Sequence, residues 1–237
     1  MQLSKRLQAV ADLVTPGHRV ADVGCDHAYT SIYLVENKIS PYVIAMDINQ
    51  GPIDRAKENI KKYGYEKEIA TRKSDGLEKL KVGEVDTVLI AGMGGGLTVQ
   101  ILTQHRERMA GLKELVLSPQ SEIYLVRKLM QEIGFTITNE NMIKEEGKYY
   151  VMMKAEASTS VIDNQPYQLL NKEHAHFGRL LLESKHPILR EFLEKELERC
   201  SKILESLQKE TSESINIRKN EIRESVKLIK AALGYYV

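Results

Sequence analysis

Hydrophobic and polar positions follow two rhythms through the first two thirds of the chain. Short apolar runs at Arg19–Val23, Val43–Asp47, Ile69–Lys73, Val85–Ala91 and Glu114–Ser118 have the length and β-branched content of buried strands. Between most of them apolar residues recur every three or four positions, which predicts helices over Thr30–Asn37, Gly51–Tyr63, Leu97–Met109 and Ser121–Ile133. Strand and helix in alternation predict a parallel sheet with helices on both faces. The stretch FTITNENMIKEEGKYYVMMKAE breaks the rhythm. It reads as two strands joined at Glu146-Gly147, so the sheet is expected to end in an antiparallel hairpin.

Beyond Ala155 the period changes. ASTSVIDNQPYQ, residues 157–168, is a polar connector, and a helix is expected over Tyr167–Ser184. One apolar stripe then runs Leu189, Phe192, Leu193, Leu197, Cys200, Ile203, Leu204 and Leu207. A second runs Ile215, Ile222, Val226, Ile229 and Leu233, after a break at KETSES. Pro187 suits the first turn of a helix. Two long helices folded back as an antiparallel coiled coil are expected. The chain thus reads as an α/β Rossmann-like domain over residues 1–157 and a helical coiled-coil domain over residues 158–237.

Composition narrows the function classes. A formal charge of +1 over 237 residues neither requires nor excludes a nucleic-acid partner, because local patches decide that. Two cysteines, Cys25 and Cys200, with no CxxC spacing, argue against structural zinc, and no metal is expected. The start, MQLSKRLQAVADLV, carries Leu3, Leu7, Val10 and Val14 at helical spacing, unlike a signal peptide. With no apolar run long enough for a bilayer, a cytoplasmic location without membrane contact is expected. Oligomeric state is left at monomer or weak dimer.

The candidate chemistry lies at strand ends. ADVGCDHAYT, Ala21–Thr30, resembles a strand entering a nucleotide-binding glycine loop. A dinucleotide loop needs G-x-G-x-x-G so that backbone can approach a pyrophosphate. From Gly24 this chain has Asp26 at the second glycine and Tyr29 at the third. A carboxylate there repels phosphates and suits a cationic ligand such as S-adenosylmethionine, whose amino-acid end Asp22 and Asp26 would receive. Alternatively, Asp26 simply caps the next helix. Asp47, followed by Ile48, ends the second strand where an acid accepts ribose hydroxyls, unless it only opens a turn. Asp75, with the Ser74 and Gly76 backbone beside it, is placed for an adenine amino group, or is a plain Asp-Gly turn. The run IAGMGGG, with Ala91, Gly92, Met93 and Gly94, allows close backbone approach by a flat base, and LSPQ offers a second pocket wall.

ADVGCDHAYTSIYL, AMDI, SDGL, IAGMGGG and LSPQ together resemble the bacterial TrmK family, the tRNA (adenine-22-N1)-methyltransferases, over the whole chain. The resemblance implies a class I methyltransferase domain with a helical extension, S-adenosylmethionine as donor and tRNA as acceptor. It also implies a cofactor site at Asp22, Gly24, Cys25, Asp26, His27, Asp47, Asp75 and the Ala91-Gly92-Met93 backbone.

Adenine N1 has an in-plane lone pair, so attack on a methyl sulfonium needs positioning more than proton removal. The base must leave its stack to react. Tyr29 is a candidate platform for it, or else a ring packed on the sheet. Asp26 and the carbonyls of the Gly92–Gly95 turn, Gly94 among them, are candidates to accept from the exocyclic amine. Cations such as Lys172, Arg190, Arg218 and Lys227 on the extension, and Arg55, Lys61 and Arg72 on the sheet domain, either grip phosphates or form an ordinary solvated face. Rival readings are a small-molecule methyltransferase, an NAD-dependent oxidoreductase and a non-catalytic coiled-coil interaction protein.

Overall fold

The computed structural model describes residues 1, 3–158, 168–207 and 212–237. The chain forms two compact units, Met1–Gln168 and Leu169–Val237. The expected boundary between residues 157 and 158 falls at the end of the last strand, and most of the connector lies outside the described residues.

The first unit is built on seven strands: β1 (Val20–Val23), β2 (Val43–Asp47), β3 (Ile69–Lys73), β4 (Thr87–Ala91), β5 (Glu114–Ser118), β6 (Phe135–Glu145) and β7 (Lys148–Ala157). Their spatial order is β3-β2-β1-β4-β5-β7-β6. The first five run parallel, whereas β7 is antiparallel to both β5 and β6. The expected terminal hairpin is therefore present. It turns at Glu146 and Gly147, both in the left-handed region (φ 49° and 78°), as a two-residue hairpin turn of matching twist demands. β1, β2, β4 and β5 are buried almost throughout, which is why they read as continuous apolar runs rather than alternating ones.

Helices α1 (Lys5–Ala11), α2 (Tyr29–Glu36), α3 (Gln50–Tyr63), α4 (Gly95–Gln104) and α5 (Ile123–Ile133) pack around the sheet. Two differ from expectation. The helix expected over Leu97–Met109 starts at Gly95 and is interrupted at His105 (φ −121°), after which a 3-10 turn covers Arg106–Met109. The helix expected from Ser121 starts at Ile123, because Ser121 and Glu122 form a turn that holds Gly95.

The second unit is helical: α6 (Lys172–Phe177), α7 (Arg179–Glu183), α8 (Pro187–Ser206) and α9 (Glu213–Leu233). The single helix expected over Tyr167–Ser184 is instead two short ones, broken at Gly178, whose φ of 93° no helix accommodates. Pro187 opens α8 as expected. α8 and α9 pack on each other, burying Leu189, Leu193 and Cys200 on one and Ile222 and Ile229 on the other. The break expected at KETSES lies partly outside the described residues. Its end is marked by Ser212, whose hydroxyl caps α9 through the Ile215 amide. No helix among the described residues is long and apolar enough to cross a membrane.

Candidate active site

Register decides what meets what. Val23 pairs with Met46 on one side and Ile90 on the other; Met46 pairs with Arg72, and Ile90 with Leu117. One step further along the parallel strands, Gly24, Asp47, Lys73, Ala91 and Ser118 stand on the same edge, at the carboxyl ends. Strand order reverses between β1 and β4, at Gly24 and Ala91, and it is at such a switch point that open α/β sheets place their ligand crevice. The loops expected to converge there do so.

The first loop leaves β1 tightly. The Gly24 and Cys25 amides both donate to the Met46 carbonyl, and Gly24 turns with φ 79°. Asp26–Ala28 then form a 3-10 turn in which His27 and Ala28 both adopt left-handed backbone (φ 62° and 56°). Two such non-glycine residues in succession hold strain of roughly 1–3 kcal/mol each, and strain of this kind gathers at functional loops. Asn59 on α3 secures the loop by donating to the His27 carbonyl at 3.0 Å.

Asp26 caps no helix: neither the 3-10 turn nor α2 has a side-chain cap. Its carboxylate is exposed and pairs with Arg55 at 2.8 Å, with His27 Nε2 at 3.7 Å. Arg55 is thereby placed beside the loop. The His27 and Tyr29 rings stack, 5.4 Å apart and 5° from parallel, and Tyr29 is 38% exposed. The alternative of a Tyr29 ring buried against the sheet is not what is observed.

Asp22 is buried and accepts from the Ser31 hydroxyl at 2.7 Å. Burial pushes its carboxyl up to about 6, against the lowering effect of the Ser31 bonds. Burial, reinforced by Asp22 and Asp47, also pushes the Cys25 thiol up, so it is no thiolate nucleophile. Asp47 accepts from the Asn49 amide at 2.8 Å, which fixes the carboxylate at the strand end, and Ile48 beside it is 52% exposed. After β3, Ser74 is buried and closes its own turn, donating to the Gly76 carbonyl and accepting from the Lys79 amide. Gly76 lies beneath Ile101 of α4, which leaves Asp75 as the exposed member of that trio.

The glycine run after β4 serves several purposes. Gly92 is exposed and turns with φ 99°, and its amide donates to the Ser118 carbonyl. Met93 reaches back so that its methyl covers Gly24, and its carbonyl accepts from Gln120. Gly94 precedes α4, and Gly95 is locked against the Ser121-Glu122 turn. Sequence reasoning missed Arg6. It extends from α1 over the Tyr150 ring, 5.3 Å from its centroid, and reaches Gly92. Among the described residues no group of three His, Cys, Asp or Glu side chains is placed to hold a metal ion.

A family model described as a methyltransferase domain matches residues 3–153. The tRNA (adenine(22)-N(1))-methyltransferase of Bacillus subtilis is 31% identical over 237 residues, 99% of this chain and 98% of that protein. This chain belongs to the tRNA (adenine(22)-N1)-methyltransferase family. The crystal structure of the B. subtilis m1A22 tRNA methyltransferase TrmK superposes with a TM-score of 0.85 at 31% identity, covering 98% of this chain and 99% of that one. A putative tRNA (m1A22) methyltransferase of Streptococcus pneumoniae, in complex with S-adenosyl-L-methionine, superposes with a TM-score of 0.84 at 30% identity, covering 98% and 100%. The TrmK-like likeness thus includes the helical unit as well as the sheet.

The cations offered for phosphate contact are mostly engaged. Arg72 makes two 2.6 Å bonds to Glu84, and Arg55 pairs with Asp26. On the helical unit Arg190–Glu194, Lys202–Glu198, Arg218–Glu221 and Lys227–Glu224 pair at helical spacing. Exposed pairs of this kind are worth at most about 1 kcal/mol, so they exchange readily.

Proposed function

We propose that this chain transfers the methyl group of S-adenosylmethionine to N1 of adenine 22 in tRNA. One convergence carries the reading. Gly24, Asp47 and Ala91 end three neighbouring strands at the switch point, in a chain that aligns almost end to end with a tRNA (adenine(22)-N1)-methyltransferase.

The residues present fit such a donor. The loop after β1 turns at Gly24 under the methyl of Met93, and it carries Asp26 where a dinucleotide loop has its second glycine, so a carboxylate rather than bare phosphate-binding backbone meets the ligand. Asp22 and Asp26 face the amino-acid end, Asp47 with Ile48 the ribose, and Asp75 with Ser74 and Gly76 the adenine. Gly24, Cys25, His27, Ala91, Gly92 and Met93 supply backbone and walls. The bound donor presents an electrophilic methyl group on a sulfonium. Gly92 and Gly94 bring no side chain between that methyl and the acceptor, and the exposed Tyr29 ring, backed by His27, holds an adenine flipped out of its stack. Because N1 already has a free lone pair, Asp26 and the carbonyls of the turn orient the exocyclic amine rather than remove a proton.

Residues 1–157 carry the transfer and residues 158–237, as a coiled-coil hairpin, grip the tRNA, their helix-face cations trading carboxylates for phosphates. The protein works in the cytoplasm as a monomer or weak dimer. The deciding experiment is transfer of labelled methyl to unmodified tRNA, with mapping of the modified base. Label at position 22 on adenine N1 is expected. Label on a small metabolite alone would move the reading to a small-molecule methyltransferase.

A further inference from the structure

Arg6 is held over an aromatic ring, with no carboxylate partner for its guanidinium among the described residues. Glu145 on β6 anchors α1 by accepting from the backbone amides of Lys5 at 2.7 Å and Arg6 at 3.4 Å. The side chain then passes over Tyr150, with the guanidinium carbon 5.3 Å from the ring centroid. Its Nη1 is buried and has no hydrogen-bond partner. A Cβ built on Gly92 would stand 3.6 Å from Nη1 and 3.6 Å from Gln120 Nε2, so two side-chain nitrogens flank the glycine turn at the switch point. Among the described residues Arg6 makes no ion pair. The carboxylates of the proposed donor site have other partners: Asp26 has Arg55, Asp22 has Ser31 and Asp47 has the Asn49 amide. A buried guanidinium N–H without an acceptor is a costly state unless a ligand supplies the acceptor.

We propose that Arg6 is the anchor for the α-carboxylate of the donor's methionine portion, with Gln120 as a second donor beside it. This rests on the reading of S-adenosylmethionine as the donor. That molecule's amino-acid end is a zwitterion. The carboxylates Asp22, Asp26 and Asp47 suit its ammonium, sulfonium and ribose hydroxyls, but all three repel its carboxylate. Arg6 presents the opposite charge from the Gly92 side of the crevice, and a guanidinium edge matches a carboxylate in shape. Contact with the acceptor ring is disfavoured, because methylation at N1 makes that ring cationic. Stacking on Tyr150 fixes the guanidinium plane, so Tyr150 acts as a positioning residue.

Calorimetric titration with two ligands tests the assignment: S-adenosylhomocysteine and its decarboxylated analogue, which keeps the ammonium. The wild-type protein is expected to prefer the carboxylate-bearing ligand. Arg6→Met should weaken that ligand by about 10- to 100-fold, the range for removing one charged hydrogen-bond partner, and leave the analogue unchanged. Arg6→Lys should retain part of the preference. Equal weakening of both ligands by Arg6→Met would overturn the proposal in favour of a packing role. Unchanged S-adenosylhomocysteine affinity with a raised KM for tRNA would overturn it in favour of an RNA phosphate. Should Arg6→Met not fold, Arg6→Lys and the wild-type ratio decide, and equal wild-type affinity for the two ligands overturns the proposal. A wild-type protein that binds neither ligand but still methylates tRNA from labelled donor leaves the proposed function standing and overturns the Arg6 assignment.

Discussion

The methyl group of Met93 lies on Gly24, so that a Cβ added at the glycine would overlap Met93 Cε. The fourth strand's turn thus packs directly on the first strand's turn, and the two halves of the crevice share one wall. Gly24→Ala introduces two problems of different size. The overlap is with the end of a flexible side chain, which can swing away. The φ of 79° cannot relax without breaking the bonds to Met46, and alanine there costs about 1 kcal/mol or more. Urea denaturation should therefore show a similar loss for Gly24→Ala and for Gly24→Ala/Met93→Ala. Titration with S-adenosylhomocysteine should show weaker binding in both. Full recovery in the double variant would mean that the side-chain overlap, not the backbone, requires glycine.

Gly95 and Gly96 are neighbours with opposite expectations. A Cβ on Gly95 would meet backbone, the Ser121 carbonyl and the Glu122 carbonyl oxygen at 2.6 Å. That turn cannot retreat, since Gly95 itself donates to Ser121 and Glu122 already sits at φ 47°. Gly95→Ala should destabilise by about 1–3 kcal/mol, the usual range for overpacking. A Cβ on Gly96 would meet only the Glu122 carboxylate, at 3.0 Å, and that side chain can rotate. Helix propensity favours Gly96→Ala by up to about 1 kcal/mol, so its denaturation midpoint should hold or rise.

The contrast shows what was legible in the chain. The dense glycines after β4 marked the turn, but which glycine answers to a ligand and which to the Ser121-Glu122 turn depends on packing. Strands β1, β2, β4 and β5 were readable because burial on both faces leaves continuous apolar runs, and the hairpin because Glu146-Gly147 separates two strand-like stretches with no helix between them. The Asp26 loop was readable as a departure from phosphate-binding spacing. Arg55 as the partner of Asp26 was not, because α3 delivers it from another segment. Arg6 looked like one more polar position on an amphipathic helix. Only the docking of α1 against β6 and β7 turns it toward Gly92. Gly178 carried a helix-breaking signal within an otherwise periodic stretch, and there the apolar periodicity was the weaker guide.

Asp26 separates stability from binding. Its pairing with Arg55 is between two exposed side chains, 60% and 46% accessible, and such pairs contribute about 0–1 kcal/mol. Asp26→Ala should shift the denaturation midpoint only slightly. Its affinity for S-adenosylhomocysteine should nevertheless fall, because the proposed donor site has this carboxylate receive the ligand's ammonium. Wild-type affinity in a folded Asp26→Ala protein would remove Asp26 from the donor site.

Asp22 ties stability and binding to pH. Its carboxyl titrates near 6 in the folded chain, against 3.8 ordinarily, because burial disfavours the charge. Below pH 3.8 it is protonated in both folded and unfolded chains and has no effect. Between 3.8 and 6 the folded chain keeps a proton that the unfolded chain releases, so stability falls as pH rises. Above 6 the full penalty is present, about 3 kcal/mol. Asp22→Asn should flatten that part of the pH–stability curve, measured by urea denaturation from pH 4 to 7. A ligand ammonium facing Asp22 offsets the burial and lowers its pKa. Binding of S-adenosylhomocysteine should therefore strengthen as pH rises toward 6, level off above it, and release a proton at pH 5.5. Calorimetry in two buffers of different ionisation enthalpy reads that proton directly. Its absence in the wild-type protein, or its persistence in Asp22→Asn, would place the ammonium elsewhere.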